Sequence, residues 1–185
     1  VSAAFLLFGL SLIYGTTGAV SLRHLAQAAP PVSHDPLFLA GLVMAMVGFG
    51  FKVAAVPFHL WAPDVYQGAP TPSAALIASG SKVAGFLILA KLLLFGFAGA
   101  AGSAAWSGLA PGWLPVVAVI AVLSIVVGNL AALSQANVKR IIAYSAIAQS
   151  GYMLLGLAAT GGTGLVSVLF YVIVYALTAL GAFGV

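Results

Sequence analysis

The sequence predicts an all-α fold, a polytopic bundle of about six transmembrane helices forming a single domain over residues 1–185. Hydrophobic residues make up 63% of the chain, well above the roughly 45–50% of soluble domains. Several apolar runs reach the ~20 residues that a helix needs to cross a ~30 Å hydrocarbon core. Only 4% of the residues are charged, yet Lys52, Lys82 and Lys91 lie inside these runs with no acidic residue beside them. A cation at the centre of a membrane helix costs roughly 2.5–3.5 kcal/mol, so these lysines are candidates for proton or ion relay.

Composition excludes several classes of protein. The formal net charge of +4 comes from few residues and forms no basic stripe, so no nucleic-acid partner is expected. A chain without cysteine has no disulfide framework, thiolate metal site or cysteine-ligated cluster. The sequence also shows no ligands for flavin, iron–sulfur clusters or haem, so we expect no metal site and no cofactor in this chain. A soluble enzyme is incompatible with such an apolar composition.

The two ends of the chain predict an internal piece of a longer protein. Val1 already lies in an apolar run, and no basic region precedes that run, which argues against a signal peptide. The last residue, Val185, follows an apolar stretch without a polar flank. We expect partners of the buried lysines both upstream and downstream of this chain.

Polar, proline-rich or glycine-rich stretches divide the chain into six hydrophobic segments. The segments are about 1–17, 36–60, 73–97, 114–133, 138–159 and 165–185. A Pro-rich connector is predicted between the first two, a proline-stiffened turn over Trp61–Pro72 between the next two, and a short turn at 160–164 before the last. The second segment is predicted to break at Pro57, because proline removes a backbone donor and clashes with the preceding turn.

The depth of each lysine bears on whether it is functional or structural. Lys82 lies about ten residues into its segment, which at 1.5 Å per residue is ~15 Å deep, too far for easy snorkelling. Lys52 lies five residues before Pro57, at the kind of break where transporters expose carbonyls that hold cations. Alternatively, Pro57 ends the helix at the interface and Lys52 snorkels. Lys91 approaches the far interface and is interpreted as a snorkelling, structural residue.

Two long strings of sequence carry a resemblance to a known family. Residues 56–72 read VPFHLWAPDVYQGAPTP, residues 128–140 read GNLAALSQANVKR with AYSAI at 143–147, and residues 180–185 read LGAFGV. These strings resemble the antiporter-like, proton-translocating membrane subunits of bacterial NADH–quinone oxidoreductase (respiratory complex I). Lys82, where larger subunits of the family tend to carry histidine, and the Val65-Tyr66 pair resemble its subunit N branch. The resemblance spans nearly all of the chain.

This resemblance implies a fold, a site and a set of partners. The family fold has inverted five-helix repeats with two broken helices, and this chain would supply the sixth to eleventh of fourteen helices. Lys52 matches the lysine of the broken seventh helix, and Lys82 matches the lysine or histidine of the eighth. The family's glutamate would lie upstream and a further lysine downstream, so this chain alone would not complete a proton path. A lysine suits such a path because desolvation lowers its pKa and a nearby carboxylate raises it.

The resemblance also implies where the protein works. We expect a multi-pass subunit of the bacterial inner (plasma) membrane whose partners are the lipid bilayer, protons and other membrane subunits of complex I. NADH, flavin, iron–sulfur clusters and quinone would be bound by those other subunits.

Further polar residues have two interpretations each. His59 titrates near pH 7 and either extends the relay or caps the broken helix. Lys139 follows a polar turn and is either an interfacial anchor or a proton entry relay. Asp64 is expected to hold its loop rather than conduct. Ser145, Gln149 and Tyr152 share one side of the fifth segment, where packing is favoured over lining a hydrated path. Ser150 stands where some relatives have histidine.

Three functions remain open on sequence alone. The first is proton translocation within NADH–quinone oxidoreductase, with the redox chemistry outside this chain. The second is a subunit of a related cation/proton antiporter or membrane-bound hydrogenase; the identity of residue 82 and the Val65-Tyr66 pair favour the first function over this one. The third is a non-conducting scaffold, in which the lysines only pair with neighbouring subunits.

Overall fold

The computed structural model describes residues 2–159 and 162–184, and the regular structure of these residues is α-helical with short π and 3₁₀ turns. The helices are α1 (Ser2–Thr17), α2 (Leu22–Val32), α3 (Pro36–Val53), α4 (Trp61–Gly68), α5 (Thr71–Gly96), α6 (Trp113–Leu133), α7 (Val138–Ala158) and α8 (Gly162–Gly184). The described residues belong to two compact units. One unit comprises Val1–Phe49 and Ile88–Ala118, and the other comprises Gly50–Leu87 and Val119–Val185.

Five of the described helices are long and apolar enough to cross a membrane, namely α3, α5, α6, α7 and α8. A sixth span is reached when α1 and α2, which meet at a bend of 71°, count as one broken span. This confirms the predicted helical bundle of about six segments.

The Pro-rich connector predicted after the first segment was wrong in part, because residues 22–32 form helix α2. Ser21 caps this helix by accepting a hydrogen bond from the backbone N–H of His24 at 3.2 Å. Pro30 and Pro31 lie at its C-terminal end, where they do not prevent the preceding turns from forming. His24 and Arg23 therefore lie on a helix and not in a loop.

The first unit packs through a close contact at a glycine and through aromatic side chains. A Cβ atom added at Gly9 of α1 would lie 2.6 Å from the backbone N of Ala45 in α3, so the two helix backbones touch there. Phe38 and Phe97 make an edge-to-face contact at 5.9 Å between ring centroids. The indole Nε1–H of Trp113 donates to the carbonyl of Phe97 at 2.9 Å.

Helix α3 ends at Val53, four residues before the proline that was predicted to break it. Ala54 has a left-handed backbone (φ 56°), and the Ala55 N–H donates to the Gly50 carbonyl at 2.8 Å. This bond pattern is a Schellman motif, which normally has glycine in the left-handed position. We call residues 54–60, which connect α3 to α4, the break.

The predicted turn over Trp61–Pro72 was also wrong, because residues 61–68 form helix α4. Pro63 is tolerated in its first turn, where a backbone N–H would have no helical partner. The Trp61 indole donates to the Phe51 carbonyl at 3.0 Å and stacks on the Phe51 ring, which connects α4 to the last turn of α3. The predicted turn at 160–164 lies partly outside the described residues.

Candidate functional site

Lys82 is buried in the second unit, with 2% of its surface exposed. Its Nζ donates to the carbonyl oxygen of Ala146 and to the hydroxyl of Ser150, the latter at 2.6 Å, both on α7. The ring of Tyr175 on α8 lies 5.3 Å from Nζ, within cation–π range. Ser150 is twelve residues into α7, roughly 18 Å along its axis at 1.5 Å per residue, so this contact lies near the helix middle.

Among the described residues, no carboxylate neutralises Lys82. The sequence contains two acidic residues, Asp35 and Asp64. Asp35 caps helix α3 by accepting from the Leu37 N–H at 2.8 Å, and Asp64 pairs with Arg140 at 2.6 Å. The Lys82 ammonium is therefore held by neutral oxygens and an aromatic face. Burying a cation on such terms is costly, and a cost of this kind is typical of functional sites.

Ser150 connects Lys82 to the end of helix α3. Its hydroxyl lies 2.8 Å from the carbonyl oxygen of Val53 and 3.0 Å from that of Ala146. Val53 is the last residue of α3, so its carbonyl is one of those that a helix leaves unsatisfied at its C-terminus. These carbonyls carry the negative end of the helix dipole, which favours a nearby cation.

Lys52 lies in the last turn of α3, immediately before Val53, and its side chain is exposed in this chain. Its stem runs beside α5, because a Cβ added at Gly85 would lie 3.5 Å from Lys52 Cγ and 3.2 Å from Val53 Cγ1. Among the described residues no hydrogen bond joins Lys52 directly to Lys82. The connection runs through the neighbouring Val53 carbonyl and Ser150.

The other two predicted relay residues lie apart from these contacts. His59 lies in the break with 8% of its surface exposed, and its Nδ1 has no hydrogen-bond partner among the described residues. Burial lowers the pKa of His59 below its ordinary value. Lys139 is half-buried at the start of α7, where its backbone N–H donates to the Asn137 side chain at 3.0 Å. A relay role for either residue stays a prediction.

Asp64 connects α4 to the start of α7. Arg140 donates to Asp64 Oδ1 at 2.6 Å, to Gln67 Oε1 at 3.1 Å and to Gln135 Oε1 at 3.0 Å. The Asp64 side chain is 75% exposed, and an ion pair this exposed contributes little to stability. The arrangement is that of a structural contact at the surface of the second unit.

Replacing Asp64 with asparagine should therefore have a small effect. We expect the amount of folded protein in the membrane to stay within about twofold of the parent, since the exposed pair is weak and Asn keeps one acceptor oxygen. The yield of the protein and its thermal midpoint, measured on the same membranes, check this. A clearly lower thermal midpoint would instead show that the pair with Arg140 is needed to hold α4 against α7.

Sequence reasoning missed three features of the site. The family resemblance singles out Ser150 only as a position where some relatives have histidine, and its contact with Lys82 does not follow from the sequence. A usable signal existed, because Ser150 is a polar residue on the stripe of α7 that otherwise carries buried apolar side chains such as Ala143, Ile147 and Leu154. The π-helical turn Ile77–Ser81, which ends directly before Lys82, and the Tyr175 ring were also missed. Such π turns are frequent at functional sites.

Comparison with known proteins identifies the family. The family model described as NADH:quinone oxidoreductase/Mrp antiporter, transmembrane, matches residues 1–185. NADH-quinone oxidoreductase subunit N 2 of Acidobacterium capsulatum is 55% identical over 185 residues, which cover 100% of this chain and 37% of that protein. Respiratory complex I of Thermus thermophilus with bound aureothin matches at 39% identity and a TM-score of 0.77, over 100% of this chain and 36% of the matched chain. The Mrp complex of a Dietzia species matches at 25% identity and a TM-score of 0.84, over 98% and 32%.

These matches confirm the resemblance seen in residues 56–72 and 128–140, including its subunit N branch, and they confirm a multi-pass membrane protein. The chain spans about 37% of the length of the curated relatives it matches. The chain belongs to the NADH:quinone oxidoreductase/Mrp antiporter transmembrane family.

Proposed function

We propose that this chain is part of a proton-translocating membrane subunit of a bacterial NADH–quinone oxidoreductase, and that protons pass through Lys52 and Lys82. The observation that carries this proposal is the burial of Lys82 without a carboxylate partner in the chain. A buried, unneutralised cation is rare in membrane proteins and marks ion or proton pathways. The family match supplies the class of complex.

The residues of the site explain how a proton is held and released. The Ala146 carbonyl and the Ser150 hydroxyl accept hydrogen bonds from the Lys82 ammonium, which replaces part of the hydration lost on burial. Lysine can then give up its proton to a base that approaches, whereas arginine stays charged. Lys52, at the negative end of α3, is placed to receive a counter-charge from outside this chain.

In this proposal, other subunits of the complex carry out the redox chemistry. Electron transfer from NADH to quinone, with its flavin and iron–sulfur clusters, belongs to other subunits, and this chain supplies proton translocation in the bacterial inner membrane. Its partners are neighbouring membrane subunits and lipid. The fold it shares with the Mrp complex makes cation/proton exchange the second candidate function.

Replacing Lys52 with methionine tests the proposal. We expect NADH-driven proton pumping to fall by at least about tenfold, because methionine fills similar space but carries no proton. Lys91→Met is the matched control, since Lys91 is an exposed lysine that we interpret as a snorkelling residue. Pumping is measured in inverted membranes alongside NADH oxidation, with native gels to confirm assembly.

The outcomes separate the candidate functions. Loss of pumping in Lys52→Met with assembly intact supports the proposal. Normal pumping together with poor assembly would favour the scaffold. Proton movement that needs a sodium gradient and no NADH would favour the antiporter.

A further inference from the structure

Ser150 holds a single hydroxyl hydrogen among three polar neighbours. The Lys82 ammonium, the Val53 carbonyl and the Ala146 carbonyl all lie within hydrogen-bond distance of its Oγ. The residue is fully buried. The position of this one hydrogen therefore determines which neighbour is satisfied.

When Lys82 is charged, the hydroxyl hydrogen of Ser150 has one good acceptor. The ammonium has no lone pair, so it must donate to Ser150 Oγ. The Ala146 carbonyl already accepts from Lys82 and from the helical N–H four residues later, which uses both of its lone pairs. The Ser150 hydrogen is left to the Val53 carbonyl, at 2.8 Å the nearer of its two carbonyl neighbours.

When Lys82 is neutral, the Ser150 hydrogen is no longer restricted to the Val53 carbonyl. The amine keeps two hydrogens and gains a lone pair, which can accept from the Ser150 hydroxyl. If the hydroxyl turns toward the amine, the last carbonyl of α3 loses its side-chain partner. Helix ends without such partners loosen, because an unpaired buried carbonyl is unfavourable.

The other side of the break does not depend on Lys82. The backbone N–H of Val56 donates to the hydroxyl of Ser124 on α6 at 2.9 Å, and that hydroxyl donates to the Ile120 carbonyl at 2.7 Å. Two serines thus hold this part of the chain. Ser150 bonds to Val53, directly before the break, and Ser124 bonds to Val56 within it. Of these two, Ser150 is the one that bonds to a titratable side chain.

We propose that Ser150 is a positioning residue that couples the proton on Lys82 to the end of helix α3 beside Lys52, by turning its hydroxyl hydrogen between Val53 O and Lys82 Nζ. No proton is gained or lost by Ser150, since the same O–H bond is kept in both orientations. Among the described residues, Tyr175 of α8 is the titratable group whose side chain contacts Lys82, with the ring centroid 5.3 Å from Nζ. The inference deepens the proposed function and rests on Lys82 changing its proton.

The direct test measures how readily the break opens, and it does not use pumping as its readout. The chain has no cysteine, so Val56→Cys introduces a unique thiol in this chain at a position with 7% exposure and a smaller side chain than valine. Labelling by a membrane-permeant maleimide then requires local opening of the break. The rate is followed on the band of this chain in the assembled complex, across a range of pH.

Dividing each rate by the rate in a Lys82→Met background removes the pH dependence of the thiol itself. We expect this ratio to rise by about two- to tenfold as the pH increases, because loss of the Lys82 proton loosens the break. This is the factor that one net hydrogen bond supplies. Ser150→Ala should make the ratio independent of pH, whereas Ser150→Thr, which keeps the hydroxyl, should restore the dependence. Ser145→Ala, an exposed serine on the same helix, should behave as the parent. Where Ser150→Ala does not assemble, Ser150→Gly removes the same hydroxyl.

A pH-dependent ratio that persists without the Ser150 hydroxyl would overturn the inference, as would a flat ratio in the parent. The proposed function is judged separately, by pumping in the lysine variants. Pumping that needs Lys52 while labelling ignores Ser150 would leave the proposed function standing and remove the coupling. Labelling that depends on Ser150 in a complex that pumps normally without Lys52 would leave the coupling standing and remove the proposed function.

Discussion

Under the proposed function, replacing Lys82 with methionine should abolish NADH-driven proton pumping while leaving the complex at least as stable as the parent. Methionine is flexible and similar in length, so it fills the space of the lysine stem against α7 and α8. It carries no proton, and loss of a group that transfers protons lowers a rate by at least about a hundredfold. Removing a buried cation without a carboxylate partner also removes its desolvation cost, so stability and function should move in opposite directions.

Pumping, the amount of assembled complex and its thermal midpoint are measured on the same preparation. Lys82→His is the matched variant, because histidine keeps a titratable cation and should retain part of the pumping. A Lys82→Met complex that pumps normally would refute a relay role for this residue. A complex that fails to assemble would point to the scaffold function, in which the ammonium of Lys82 only holds helices together.

Replacing Gly128 with alanine should destabilise the second unit. A Cβ atom at position 128 of α6 would lie 2.6 Å from the backbone N and 3.0 Å from Cα of Ala148 in α7, and backbone atoms cannot rotate away. The reciprocal contact is equally close, since a Cβ at Gly151 would lie 2.7 Å from the Ala121 carbonyl oxygen. Overpacking of this kind costs about 1–3 kcal/mol, because the helices must separate.

The control is the same substitution at Gly181 of α8, where a Cβ would meet no described atom within 4 Å. An alanine in an open helical position stabilises by about 0.5–1 kcal/mol, so the two variants should change stability in opposite directions. The yield of assembled complex on native gels and its thermal midpoint measure both. Equal behaviour of the two variants would show that α6 and α7 do not touch as described.

The hydrophobic segments were predictable because they depend on local composition. Runs of apolar residues of sufficient length located α3, α5, α6, α7 and α8 to within a few residues at most ends, and Lys82 stood out as a charge inside such a run. Where the chain is less apolar, composition was a poor guide. Residues 22–32 and 61–68 contain prolines and polar side chains, so the sequence predicts connections there, although both stretches are helical.

The site was predictable in its lysines but not in its connections. The contact between Lys82 and Ser150 joins residues 68 positions apart, and the contact between Ser150 and Val53 joins residues 97 apart. Such pairings depend on how α3, α5 and α7 pack, which no single segment specifies. The exact end of α3 was missed for a similar reason, since Pro57 predicted a break but not the left-handed residue at Ala54.

The left-handed Ala54 has a consequence for how this protein is made. Alanine has no local preference for that conformation, unlike the glycine that usually occupies it, so residues 50–60 taken alone favour another path. The side chains that hold the kinked path, Ser124 and Ser150, are synthesised about 70 and 100 residues later. We expect residues 50–60 to enter the bilayer without the left-handed conformation at Ala54. They should acquire it only after α6 and α7 have been inserted, so the site would be completed by helices that are made later.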